Sequence, residues 1–299
     1  MDADVENITS SPIFRIVTTL KHNLFSTFDQ HENGVAIQRW KEANSKLYPL
    51  HRQRLLLAAL ALSWEDVARK LQHEEHDDLA INLARAVEEV ASQTTTSTPE
   101  PEKGFVRGLK VRVLIDRTGA LQVEAAPIGH DQPISSLELD DDISRGIPQS
   151  VQPSWLPPNS RYTTVYIDNA PTAPSVFTQH KSTYRLPYDS SRARAGIAHS
   201  GPLEAEVILF NAAREVTEAS LSSVYFWRDG RWIVPAASCG GMDSVTKMLA
   251  LEGGFCSEGI VSVDAIVKGE EVWLSNAVRG FWRGKIVGSA MELDGPVSQ

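Results

Sequence analysis

Four stretches of this chain carry side chains whose type and neighbourhood could do chemistry. Lys181 stands in FTQHKSTYR, beside His180 and small polar residues, just ahead of a helical pattern. A lysine is most often a solvated surface charge. Desolvated, its amine loses basicity and becomes a nucleophile that can form a Schiff base and then shuttle protons. Arg54 lies in LHRQRLLLAAL, where a helix passes from polar to apolar. It reads either as an end-of-face charge that snorkels to water or as a fork that grips an anion such as phosphate. The turn Gly240 to Lys247, GGMDSVTK, opens a helix, and such a turn can offer free backbone N–H groups to an anion, although many simple turns carry a glycine pair. Glu218 is a lone carboxylate between two hydrophobic strands. On one reading it is a solvated turn residue, on the other the partner of a protonated ring nitrogen.

These residues need elements to position them. The stretch Glu206 to Val234 reads as consecutive strands, EVILF and VYFW, the latter turning on Asp229-Gly230 into RWIV. Upstream, YTTVYID (162–168) is a strand, and a turn-rich passage leads into a helix through SRARAGIA. Downstream, the helix begun at GGMDSVTK stops at Gly253-Gly254, and IVSVDAIV, EVWLSNAVRG and FWRGKIV are strand-like. In the first half, Pro12 to Leu20 reads as a strand or strand pair and Gly34 to Trp64 as helical, its second helix apolar on most faces after Arg54 and so buried. Asp77 to Ala91 is an amphipathic helix, and 110–125 is a hairpin about Thr118-Gly119. Residues 92–104 form a solvated polar loop, and the proline- and acid-rich run 127–160 a linker with an insertion. The expected organisation is α+β in two domains: a small α/β domain over 1–126, the connection 127–160, and a barrel-like mixed domain over 161–299.

Composition narrows the function classes. The chain has 299 residues, 42% hydrophobic and 22% charged, with a net charge of −9. An acidic chain offers no field to attract nucleic acid or an anionic membrane. Its two cysteines, Cys239 and Cys256, make no disulfide framework, and no Cys/His cluster suggests a metal. The polar N-terminus lacks an apolar signal core, and no segment has the roughly 20 apolar residues of a membrane span, so a cytoplasmic location is expected.

Taken in order, the motifs resemble the class IV aminotransferase family, the fold-type IV pyridoxal-phosphate enzymes. The resemblance rests on EVTEASLSSVYFWRDGRWIVP, SVTKMLALEGG, EVWLSNAVRG and the LHRQRL segment. FTQHKSTYRLPYDSSRARAG is similar to the lysine region of fungal 4-amino-4-deoxychorismate lyase-like members. It covers residues 14–64 loosely and 162–287 well. It implies pyridoxal 5′-phosphate as cofactor, with Lys181 as Schiff-base lysine and acid/base. It further implies Glu218 on the pyridinium nitrogen and Arg54 on the phosphate. Val245 and Thr246 would bind the phosphate at the helix start, with Asn276 and Ala277 at a second phosphate-side turn. Arg279 falls where a substrate carboxylate could lie. The implied activity is a lyase converting 4-amino-4-deoxychorismate to 4-aminobenzoate and pyruvate. The alternatives are a transaminase for branched-chain, D- or other amino substrates, and a non-catalytic binding module on the same fold. The family also implies a homodimer.

Some positions depart from the family pattern. Ser244 stands where Gly is usual, which matters if the position needs positive φ. Ser223 replaces an Asn common after the Thr-Glu segment, Lys247 stands where Arg is frequent, and the segment before Pro12 is short. None of these removes a catalytic group.

Overall fold

The computed structural model describes residues 3–23, 47–72, 79–85, 89, 108–128 and 162–289. The helix expected over 34–46, the start of the Asp77 helix, the 92–104 loop and nearly all of the 127–160 connection lie outside these residues. The chain divides into two compact units, Met1–Pro133 with Lys181–Tyr184, and Ile134–His180 with Arg185–Gln299.

In the first unit, α1 (Ala3–Thr9) leads into β1 (Ile16–Asn23), which pairs antiparallel with β2 (Gly108–Ile115). β2 pairs in turn with β3 (Leu121–Pro127), giving the order β1-β2-β3. The β2–β3 hairpin falls where the alternating pattern puts it. Asp116 Oδ1 accepts from Thr118 N, Thr118 Oγ1 and Ala120 N, and Gly119 takes φ 81°, which a side chain would resist. β1 is shorter at its start than Pro12 to Leu20 suggests, because Ser11 to Phe14 form a turn closed by Phe14 N donating to the Ser11 carbonyl. The helix α2 (Tyr48–Ala61) packs on β1, followed by α3 (Glu65–Gln72) and a helical stretch at 79–85. α2 is not buried all round: His51, Arg54, Leu55, Ala58 and Ala59 face inward, while Leu57 and Leu60 remain exposed. A helix laid on one sheet covers only the 3–4-spaced positions that face it.

The second unit is built on an eight-stranded mixed sheet that curls into a half-barrel, with order β6-β5-β4-β11-β10-β7-β8-β9. Its strands are β4 (Thr163–Ile167), β5 (Ala205–Phe210), β6 (Val216–Ala219), β7 (Ser223–Arg228), β8 (Arg231–Pro235), β9 (Ser257–Gly259), β10 (Glu271–Asn276) and β11 (Gly280–Ser289). β4 runs parallel to β5 and β11, and β8 to β9; the remaining pairs are antiparallel. All six residues of β5 are buried, as a central strand covered on both faces requires. Between β7 and β8, Asp229 and Gly230 both have positive φ (49° and 78°), the backbone of a two-residue hairpin turn.

The helices of this unit are α4 (Val176–Gln179), α5 (Leu186–Arg194) and α6 (Val245–Glu252). Two expectations need correction. The helix expected through SRARAGIA begins earlier, at Leu186, and ends before Gly196; Pro187 in its first turn is the start signal. IVSVDAIV is not a strand: Val263–Ala265 form a 3-10 turn capped by Ser262 Oγ, which accepts from Asp264 N. A serine two residues before an acidic residue offers the backbone this local bond in place of a sheet ladder. The α6 helix stops at Gly253, with Gly254 at φ 68°, as expected.

Candidate functional site

In the first unit, two consecutive residues of β1 hold two different groups. Val17 N donates to the Lys181 carbonyl at 2.8 Å, and the neighbouring residues Ile16 and Ser182 form an isolated β-bridge. This fixes the backbone of the half-buried Lys181. The next residue, Thr18, bonds through Oγ1 to His51 Nδ1 at 2.7 Å. His51 and Arg54 are three residues apart on α2 and both buried, so they occupy one helix face. Burial first, then the charges of Arg54 and Lys181, bring the His51 pKa down to about 3. Arg54 and Lys181 thus act on one imidazole. Sequence reasoning quoted His51 within LHRQRL but gave it no role.

In the second unit, Glu218 is not a turn residue but the third residue of β6, paired with Leu209 of β5 and buried. Its Oε1 accepts from Tyr188 OH at 2.7 Å and from Met242 N at 3.1 Å. Met242 reaches it because the preceding glycines allow a close approach. A Cβ on Gly241 would lie 2.4 Å from the Thr217 carbonyl oxygen, and one on Gly240, at φ 99°, would strike Pro174. The glycine pair is therefore required here by packing against β6 and not by the turn alone.

The turn after β6 is fixed from inside the sheet. Glu206, fully buried on β5, accepts from Ser220 Oγ, Ser222 Oγ and Leu221 N at 2.6, 2.7 and 3.2 Å. Burial raises its pKa, a shift that these bonds and the Arg192 charge oppose. Arg192 Nη1 donates to Ser220 Oγ at 2.7 Å. Asn276 Nδ2 reaches the Leu221 carbonyl at 3.4 Å, and its Oδ1 accepts from Val278 N and Arg279 N, closing the turn that contains Ala277. Arg279 is half-buried; desolvation lowers its pKa, and the nearby Glu206 charge partly offsets this. Asn276, Ala277 and Arg279 thus form one turn beside the loop that ends β6.

At the start of α6, Ser244 is the N-cap, with φ −73° and ψ 152°. The position does not need positive φ, so a side chain causes no strain there. Ser244 Oγ accepts from Lys247 N, and its carbonyl accepts from Met248 N. Among the described hydrogen bonds the N–H groups of Val245 and Thr246, both fully buried, have no acceptor. A buried pair of helix-start N–H groups offers two donors to an anion. Thr246 Oγ1 accepts from Ser275 Oγ at 2.8 Å and lies 3.2 Å from Ser244 Oγ. Tyr188, Met242 and Ser275 carried no signal in the sequence, because their partners lie 24 to 30 residues away.

Comparisons agree with this architecture. The family model described as amino-transferase class IV matches residues 39–287, and the chain belongs to that family. It is 25% identical over 192 residues to an aminodeoxychorismate lyase of Saccharomyces cerevisiae, covering 59% of this chain and 51% of the yeast protein. It is 30% identical over 131 residues to a putative aminodeoxychorismate lyase of Schizosaccharomyces pombe, covering 42% of this chain and 55% of that one. The match thus spans about half the length of these curated relatives. The fold is shared with a hypothetical aminotransferase from Mycobacterium tuberculosis in its PLP-bound form. That comparison has a TM-score of 0.51 and 15% identity, covering 91% of this chain and 81% of the other. Among the described residues, no helix is long and apolar enough to cross a membrane, and no group of His, Cys, Asp and Glu is placed to hold a metal.

Proposed function

We propose that this protein is a pyridoxal 5′-phosphate-dependent lyase that converts 4-amino-4-deoxychorismate to 4-aminobenzoate and pyruvate. The observation that carries the reading is Glu218, a carboxylate buried on a strand that accepts from Tyr188 and Met242 N, in the same unit as a helix start whose Val245 and Thr246 N–H groups have no acceptor among the described residues. These features fit a cofactor with a cationic ring nitrogen at one end and a phosphate at the other. Family membership and the two yeast relatives support the choice of reaction.

When bound, the cofactor supplies an electron sink for charge developing at the substrate carbon. The chain's own residues do the rest. Lys181 would supply the amine that holds the cofactor; displaced by the substrate amine, it would take the proton from the amine-bearing ring carbon, and the departing enolpyruvate would take up a proton to become pyruvate. Glu218, oriented by Tyr188 and Met242 N, would keep the ring nitrogen protonated. By the family resemblance, Arg54, the N–H groups of Val245 and Thr246, and the turn at Asn276 and Ala277 would hold the phosphate. Arg279 would take a substrate carboxylate. Loss of the enolpyruvyl ether leaves an aromatic ring, so the step is strongly downhill and one placed base suffices. The reading extends to a homodimer, which the family resemblance implies, and to the cytoplasm, the location expected from the sequence.

The test is product formation. Purified protein given 4-amino-4-deoxychorismate should release pyruvate without an added keto acid. An absolute requirement for 2-oxoglutarate would make it a transaminase, and a colourless protein that fails to take up the cofactor would make it a binding module.

A further inference from the structure

Among the described residues, the fully buried His51 Nε2 has no hydrogen-bond partner. Its residue is only 2% exposed, and the other ring nitrogen is already engaged by Thr18. Which nitrogen carries the proton follows from Thr18. That side chain is itself buried, at 1% exposure, and Nδ1 is the one acceptor its hydroxyl has among the described residues. Were Nδ1 protonated, the threonine proton would be left without an acceptor, a costly state in a dry interior. Thr18 therefore donates to Nδ1, and the imidazole carries its hydrogen on Nε2.

The result is a neutral N–H donor, held rigidly from behind, three residues from Arg54 on the same buried helix face. Buried donors are rarely left unmatched, and an orphan of this kind points to an atom supplied from outside the chain. Beside a guanidinium the matching group is an anionic oxygen. We propose that His51 Nε2–H is a binding group for a phosphate oxygen, acting with Arg54 on the phosphate monoester of the cofactor; this rests on the cofactor reading given above. A phosphate offers three oxygens, enough to take the arginine fork on some and the imidazole N–H on another. Neutral His51 supplies direction without adding a third positive charge beside Arg54 and Lys181.

The experiment uses the full chain freed of cofactor, with wild type, His51→Ala, His51→Gln and Thr18→Val. Affinities for inorganic phosphate (by thermal-shift titration), pyridoxal 5′-phosphate and pyridoxal are compared. His51→Ala should lose about tenfold for both phosphate-bearing ligands and less than twofold for pyridoxal, a tenfold loss being about 1.4 kcal/mol. His51→Gln, whose amide can still donate, should recover part of the loss, and Thr18→Val should show a smaller loss of the same kind. Unchanged phosphate affinity in His51→Ala, or an equal loss for pyridoxal, overturns the proposal. Should His51→Ala fail to fold, nitrogen NMR of the wild-type imidazole decides. An Nε2–H tautomer whose Nε2 signal moves on adding phosphate supports the assignment, and an Nδ1–H tautomer or an unmoved signal overturns it. If phosphate binding depends on His51 while wild type takes up no pyridoxal 5′-phosphate, the cofactor reading fails and the anion site stands.

Discussion

Ser223 and Ser244, the two serines that depart from the family pattern beside the start of α6, are bonded to each other, Oγ to Oγ at 2.6 Å. The contact joins the first residue of β7 to the N-cap of the helix. From Ser244 the hydroxyls continue through Thr246 and Ser275 to Tyr225, at 3.2, 2.8 and 2.9 Å. Burial drives the Tyr225 pKa up, so the far end of the chain stays a phenol. The two departures act as one feature that ties strand to helix. Ser223→Ala should cost about 1 kcal/mol for the lost bond, and Ser244→Ala about 1–2 kcal/mol because it also removes the cap on Lys247 N. The double variant should cost less than the sum by at least about 0.5 kcal/mol. Urea unfolding of the cofactor-free protein measures all three, and strict additivity would show that the contact carries no coupling.

Glu218→Gln preserves shape and can still accept from Tyr188 and Met242 N. The fold and most cofactor binding should survive. Turnover should fall on the order of 10²-fold or more, since a neutral amide cannot hold the ring nitrogen protonated. Tyr188→Phe removes a donor that orients the carboxylate and should give a smaller loss of the same kind. Steady-state kinetics with matched melting temperatures separate the two, and full activity in Glu218→Gln would return this residue to a structural role.

The strands before and after Glu218 were legible in the sequence, because EVILF and VYFWRDGRWIV carry their own turn and burial signals, whereas their order in the sheet and the strand β6 itself were not. Nor was the environment of Glu218. A lone carboxylate between apolar runs looks the same whether it caps a turn or sits on a buried strand. The difference comes from Tyr188 and the Gly240-Gly241 loop, which are distant in sequence. Ser223 and Ser244 likewise read as separate departures, 21 residues apart, until β7 and α6 bring them together. His51 stood in plain sight in LHRQRL, but its unmatched nitrogen exists only once α2 packs on β1. IVSVDAIV went the other way: its alternation is strand-like, yet a local serine cap turned the backbone first.

His51 also sets an acid limit. In the fold its pKa is about 3, against 6.5 for the free side chain. Between those values the unfolded chain binds a proton that the folded chain does not. Stability from this group is therefore complete above about pH 6.5 and is lost as pH falls toward 3. The slope approaches one proton, about 1.4 kcal/mol per pH unit. Unfolding free energies between pH 5 and 6 (on the order of one unit below the free-histidine value) should fall more steeply for wild type than for His51→Gln. Parallel slopes would mean that His51 takes up its proton in the folded state.

Lys181 is predicted to be the one lysine that attaches the cofactor. Borohydride reduction of the loaded protein followed by peptide mass analysis should find the added mass on the peptide containing Lys181. Lys181→Ala should keep its melting temperature within a few degrees, since the contacts to β1 run through the Lys181 carbonyl and Ser182. A reduced adduct on another lysine, with Lys181 unmodified, would overturn the assignment.

Lys247 replaces the family's frequent Arg, and its side chain is 4% exposed, with Nζ 2.8 Å from both Asp243 and Glu258. Burial works against its charge, but the two carboxylates more than compensate, so its pKa is raised. For Glu258 burial is likewise outweighed by the lysine, and its pKa is lowered. The carboxylates keep about two-fifths of their side-chain surface in water (45% and 41%), so they can resolvate when the lysine is removed. Lys247→Met, which keeps the volume and deletes the charge, should therefore cost about 1–3 kcal/mol, below the 3–5 kcal/mol typical of breaking a fully buried pair. Because the folded pKa of Glu258 lies below its unfolded value, the stability it contributes is present at neutral pH and lost as pH falls through that lowered value. The cost of Lys247→Met should accordingly shrink in acid. Urea unfolding at neutral and acidic pH measures it, and a cost independent of pH would assign the effect of Lys247 to packing alone.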